Sequence, residues 1–171
     1  MRVERFFAFV DLCGFTSFVE EHGDESSVAV LHEFRAVIRS VSSDHGVRVA
    51  KWLGDGAMFV STEPTPLLRM VLDLDDRTAS APAPGLRLAL RAGAAGGLVI
   101  LFEGDDYIGK AVNLAARLCD AAGPHEVIAE AALAPHLPEG FPISPAGDLA
   151  VPGFLAPIPV LRLGVRARQT G

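Results

Sequence analysis

Arg5 to Val10 is apolar on both faces, the pattern of a central strand covered on each side. Gly14-Phe15-Thr16 turns the chain into a short helix, which Gly23-Asp24-Glu25 breaks. From Ser26 to about Asp44 the period is helical: Val30, Phe34, Val37 and Val41 form a stripe, widened by Leu31 and Ile38. Gly46 ends that helix. Val47–Leu53 and Ala57–Ser61 read as strands joined through the hairpin signal Gly54-Asp55-Gly56. A second helix is predicted over Pro66–Arg77, with Thr65 as its cap, followed by an intradomain loop over Thr78–Gly85. Leu86–Ala92 alternates like a strand, Gly93–Gly97 reads as a flexible break, and Leu98–Phe102 as a further strand. Gly109–Ala122 is predicted helical, with Ala111, Ala115, Leu118 and Ala122 on one close-packing stripe. Glu126–Ala129 (strand), Glu130–His136 (short helix) and Pro157–Leu163 (strand) complete the pattern. The order βααββαβ predicts an α+β, ferredoxin-like core. It occupies a single domain over 1–165, with 166–171 as a disordered tail.

Composition narrows the function classes. The chain has 171 residues, half of them hydrophobic and 21% charged, which suits a globular core. A net charge of −6 without a basic stripe argues against nucleic-acid or anionic-membrane partners. Two cysteines, Cys13 and Cys119, are too few for a disulfide framework, so a reducing, cytoplasmic setting is expected. The Phe6–Val10 stretch is too short for a signal peptide, and no segment has the length of a membrane span. The five histidines lack metal-ligand spacing. Arginine dominates the cations, so each lysine stands out.

Two sets of residues carry candidate chemistry. Asp11 ends the first apolar run, and Asp55 sits at the hairpin tip. Either aspartate alone reads as a turn former. Together, each at the end of a hydrophobic strand, they suit a pair of divalent cations that clamp the attacking and leaving oxygens of a phosphoryl transfer. Asn113 and Arg117 lie at i and i+4, opposite the Ala111/Ala115/Leu118 stripe, with Asp106 just before the helix. An outward acid, amide and guanidinium suit a polar ligand that carries a phosphate, although a solvated helix face has the same pattern.

Three motifs occur in order: Phe-x-Asp-Leu-x-Gly-Phe-Thr at 9–16, Lys-x-x-Gly-Asp at 51–55, and Asp-Tyr-x-Gly-x-x-Val-Asn-x-Ala-x-Arg at 106–117. With them the chain resembles the catalytic domain of class III adenylyl and guanylyl cyclases, from about Val3 to Leu163. The resemblance implies that Asp11, Asp55 and the Leu12 backbone carbonyl hold two Mg²⁺ or Mn²⁺ ions. It implies that Lys51 and Asp106 recognise adenine, Asn113 orients the ribose, and Arg117 stabilises the pentavalent phosphorus. Backbone N–H groups of Gly14, Phe15 and Thr16 can hold a phosphate where a helix opens. The activity implied is conversion of ATP to cyclic AMP and pyrophosphate. A metal-activated ribose 3′-hydroxyl would attack the α-phosphate while a second ion neutralises the leaving group. The family's sites lie at a head-to-tail dimer interface. The resemblance therefore implies a homodimer with two shared sites.

Some features depart from the family or compete with it. Many members carry a triphosphate-contacting lysine on the last strand, whereas Pro157–Leu163 offers only Arg162. A catalytically weak or silent cyclase-like nucleotide-binding or regulatory domain is the main rival. His22-Gly23-Asp24-Glu25 superficially resembles the Gly-Gly-Asp-Glu-Phe of diguanylate cyclases, but lies between helical segments and reads as a turn. Trp52 reads as a half-buried hairpin aromatic rather than a base-stacking platform, and Lys110 as a solvated lysine at a helix start.

Overall fold

The computed structural model describes residues 1–80 and 88–164. Its strands are β1 (Arg2–Leu12), β2 (Arg48–Leu53), β3 (Gly56–Ser61), β4 (Leu90–Phe102), β5 (Asp106–Ile108), β6 (Glu126–Glu130), β7 (Ile143–Leu149) and β8 (Ile158–Leu163). Its α-helices are α1 (Phe15–Asp44), α2 (Pro64–Ala79) and α3 (Lys110–Ala121), with a 3₁₀ helix over Ala131–His136. One eight-stranded sheet runs β2-β3-β1-β4-β6-β8-β7, and β5 pairs with β4. The first four positions, 2-3-1-4, are the ferredoxin-like core expected from the element order. Among the described residues no helix is long and apolar enough to cross a membrane.

Alternation along β1 divides the core. Ala8, Val10 and Leu12 pack with α1 and α2 on one face of the sheet. Phe7, with Phe9 against its margin, packs with the α3 residues Ala111, Leu114, Ala115 and Leu118 on the other. Helix α1 buries Val30, Phe34, Ile38 and Val41, so its seam runs through Ile38, with Val37 at the margin. Gly23, at φ 80° and ψ 174°, interrupts α1 where the break was predicted. The carbonyl freed there accepts a hydrogen bond from Ser27 Oγ at 2.7 Å.

Several expectations need correction. Gly93–Gly97 is no flexible break: β4 runs unbroken from Leu90 to Phe102, paired residue by residue with β1 from Leu12↔Leu90 to Arg2↔Ile100. The small residues there make room for neighbours. A Cβ on Gly93 would strike backbone atoms of Ala115, Leu118 and Cys119 in α3, and one on Gly96 would strike the Phe6 ring. Thr65 does not cap α2. The helix opens at Pro64 after Glu63 with no side-chain cap, and Thr65 Oγ1 donates to the His136 carbonyl at 2.9 Å. Glu130 belongs to β6, and the short helix after it is 3₁₀. The sequence pattern does not predict strands β5 and β7. Both are short or weakly apolar and exist by pairing with β4 and β8. The expected loop beyond Ser80, the start of the expected strand at Leu86, and the tail at 166–171 lie outside the described residues.

The Gly93 contact gives a stability test. Gly93→Ala should lose about 1–3 kcal/mol in urea denaturation, because overpacking here meets backbone that cannot rotate away. Gly123→Ala is the control. Its Cβ would meet only the Glu126 carboxylate at 3.6 Å, and the change should stay within about 0.5 kcal/mol.

Candidate active site

Asp11 lies one residue before the end of β1, opposite Gly56 of β3 and Arg91 of β4. By alternation its side chain lies on the α3 face, with Phe7 and Phe9. Asp55 occupies the apex between β2 and β3, and both carboxylates line one small cleft of about 210 Å³ with Leu53, Ala116, Cys119 and Asp120. Burial, together with a hydrogen bond to Asp11 and that residue's negative charge, pushes the Asp55 pKa up to about 6. Arg91 acts in the opposite direction. Its Nη2 and Nε donate to Asp11 Oδ2 at 2.7 and 3.2 Å, and its Nη1 donates to the Asp120 carbonyl at 3.1 Å. The Leu12 amide donates to Asp11 Oδ1 at 3.1 Å, which fixes the carboxylate from its own backbone. Burial raises the thiol pKa of Cys13, and that of Cys119 to about 12, so Cys119 is a core thiol without nucleophilic character.

This donor set suits one kind of cation site. Among the described residues no group of three or more His, Cys, Asp and Glu side chains forms a complete cage. Two carboxylates close enough to hold a proton between them would accept a hard cation in its place. Mg²⁺ is commonly held in this way, by one or two carboxylates plus water and substrate phosphates. Arg91 already supplies one compensating charge. It escaped sequence reading because the alternation at 86–92 puts it on a strand without indicating that its neighbour is Asp11.

Lys51 and Asp106, 55 residues apart, meet as an ion pair at 2.6 Å with both side chains about half exposed. Strand β5 brings Asp106 there by folding back on β4, with Asp106 opposite Phe102. The Tyr107 ring meets Phe7 edge-on at 5.4 Å, and the Tyr107 amide donates to Asp106 Oδ1 at 3.1 Å. The hydrogen bond from Lys51 lowers the Asp106 pKa. The pair thus presents one cationic donor and one anionic acceptor side by side.

Asn113 and Arg117 are exposed on α3, as expected from the stripe opposite them. They line a cleft of about 770 Å³ with Lys110 and the Pro152–Ala156 segment. Lys110 Nζ lies over the Phe154 ring, 5.6 Å from its centroid, so this lysine is not simply solvated. Among the described residues Arg117 makes only a loose 3.7 Å contact with Asp120, its helix neighbour. Arg162 on β8 is bound to Glu126. Gly14 takes the left-handed conformation, φ 75°, and opens α1 without a side-chain cap, leaving the first-turn N–H groups available to an anion. Trp52 packs on the α1/α2 side of the sheet, so it does not stack in the Lys51–Asp106 region.

The chain therefore brings Asp11 to Asp55, Lys51 to Asp106, and Asn113 to Arg117. It does not bring the carboxylates and Arg117 into one cleft. Helix α3 stands between the two clefts, and Ala116 borders both.

The carboxylate cleft predicts a pH signature in metal-free protein. The folded Asp55 pKa of about 6 lies above the ordinary 3.8. Proton binding therefore supports the fold fully below about pH 4, and that support is lost as pH rises through about 6. Asp55→Asn should make the metal-free protein more stable at pH 8, by about 1 kcal/mol after solvent screening of a part-exposed site, with the gain vanishing by pH 4. Urea denaturation with a chelator, across that pH range, measures the difference.

No family model matches the chain. An uncharacterized protein of Mycobacterium tuberculosis is 39% identical over 158 residues, covering 91% of this chain and 40% of its own. A pH-sensitive adenylate cyclase of the same species is 31% identical over 172 residues, covering 96% of this chain and 41% of its own. The chain thus spans about two fifths of the length of these relatives. Among solved structures, the adenylyl cyclase CyaB from P. aeruginosa superimposes with a TM-score of 0.82 at 24% identity, covering 100% of this chain and 98% of that one. On its fold, its three motifs and these relatives, the chain belongs to the family of class III adenylyl/guanylyl cyclase catalytic domains.

Proposed function

We propose that this chain is an adenylate cyclase of the cytoplasm, converting ATP to 3′,5′-cyclic AMP and pyrophosphate at two sites shared across a homodimer. The observation that carries this reading is the split of its functional groups between the two flanks of α3. Asp11 and Asp55 line one cleft, Asn113 and Arg117 another, and neither set suffices for phosphoryl transfer. A head-to-tail partner would complete both. Exposed Leu98, Ile100, Phe102 and Ile108 on β4 and β5 offer apolar surface for such a contact.

Two Mg²⁺ or Mn²⁺ ions held by Asp11, Asp55 and the Leu12 carbonyl would supply activation of the 3′-hydroxyl and charge neutralisation of the leaving group. The chain's own residues do the rest. Lys51 donates to adenine N1 and Asp106 accepts from the 6-amino group. Guanine reverses both polarities, so each contact would become repulsive. Asn113 orients the ribose. Arg117, always charged and able to fork onto two oxygens, takes up the negative charge that develops on the α-phosphate. The opened first turn at Gly14, Phe15 and Thr16 receives phosphate oxygens.

One observation favours the alternative, a weak or silent cyclase-like regulatory domain. Arg162, the sole cation on β8, is engaged by Glu126 and is not free to meet a triphosphate.

Two experiments test the proposal. Wild-type protein with ATP and Mn²⁺ should form cyclic AMP, whereas Asp11→Ala and Arg117→Ala homodimers should not. Mixing the two variants should restore activity to about half of wild type per mixed dimer, because one of its two sites carries neither lesion. Chain exchange without recovered activity would place each site within one chain. Exchanging Lys51→Glu together with Asp106→Cys should remove about 1.5–3 kcal/mol of ATP-over-GTP discrimination, read as the ratio of kcat/KM values.

A further inference from the structure

The Gly54-Asp55-Gly56 apex carries a carboxylate that must point in one direction, yet its local chain is poorly suited to hold it. Gly54 sits at φ 61°, and glycine is the residue least restrained by its own backbone. An external group holds the apex. Arg35, in the C-terminal half of α1, donates from Nη2 to the Gly54 carbonyl at 3.2 Å. Its guanidinium lies 4.9 Å from the centroid of the Trp52 ring, and Arg39, one turn later, lies 5.0 Å from the same ring. Arg35 Nε is buried without a hydrogen-bond partner among the described residues, so the side chain is not in the pose of a freely solvated arginine.

The position of that hydrogen bond matters. The Gly54 carbonyl belongs to the peptide unit whose nitrogen is Asp55's own. Because the peptide is planar, fixing the oxygen fixes the direction in which the chain enters Asp55. Trp52 and Asp55 are on the same hairpin, so the ring orients the guanidinium and the guanidinium orients the apex. A planar guanidinium can lie on a ring face while its edge N–H donates, whereas a lysine ammonium cannot do both with the same geometry.

We infer that Arg35 is a positioning residue for the Asp55 carboxylate, with Trp52 as its platform, so that α1 sets the cation affinity of the cleft from the opposite face of the sheet. This rests on the reading of Asp55 as a cation ligand. Groups that orient metal ligands without touching the metal typically change affinity by 10–100-fold when removed.

The test uses the 171-residue chain, Mn²⁺ and 3′-deoxy-ATP, which lacks the attacking hydroxyl, with bound Mn²⁺ read by electron paramagnetic resonance. Arg35→Ala should weaken Mn²⁺ binding about tenfold, and hydrogen exchange should accelerate at residues 53–56 while β1 stays protected. Arg35→Lys should recover part of the affinity. Trp52→Phe, which keeps a ring face and risks little of the fold, should lie near wild type. Wild-type Mn²⁺ affinity in Arg35→Ala, alongside lost affinity in Asp55→Asn, overturns the inference. Wild-type affinity in Asp55→Asn itself refutes the cation-ligand reading first, and the inference falls with it.

Discussion

Helix α3 lies so close to β4 that no side chain fits between them at Gly93, where a Cβ would collide with three backbone positions of the helix. The rest of the site depends on that approach. It seats Ala111, Leu114, Ala115 and Leu118 on the sheet, and with them it sets the rotation of α3. Ala116, Cys119 and Asp120 then roof the carboxylate cleft, while Asn113 and Arg117 face the cleft on the far flank. A bulkier contact at Gly93 would lift the helix and separate the two clefts from their shared border at Ala116.

Beneath α3 the governing effect is charge. Asp11 and Asp55 are held close enough that burial and mutual repulsion keep a proton on Asp55 up to about pH 6. Arg91 reduces the strain by forking onto Asp11 and anchors itself to the Asp120 carbonyl, which ties β4, β1 and α3 together at the same point. The cleft is thus partly neutralised and still anionic, which suits a ligand that brings cations with it better than a bare anion. The Lys51–Asp106 pair works differently. Half-exposed ion pairs add little to stability, so its importance lies in geometry: each side chain holds the other in place as one half of a donor–acceptor edge.

The sequence supports these arrangements unevenly. The strands around Asp11 and Asp55, the three α-helices and the outward face of Asn113 and Arg117 follow from periodicity, because each is written within a few turns or residues of chain. The continuous β4 does not. Its glycines look like a break when read locally, and only pairing with β1 and contact with α3 explain them. The short β5 and β7 likewise exist by pairing rather than by propensity.

By itself the sequence determined the order of the core elements and the ferredoxin-like class, and it marked by residue type the candidates for cation, base and phosphate contacts. The tertiary structure alone decided which of them are neighbours: Arg91 with Asp11, Lys51 with Asp106, and Arg35 with the Gly54–Asp55 peptide. It also decided that the two sets of groups line two separate clefts that meet at Ala116 of α3. The reason is physical. Periodicity encodes which face of an element is apolar, a local property. The register between strands and the distance between layers depend on how side chains from distant segments pack, and no local pattern carries that information.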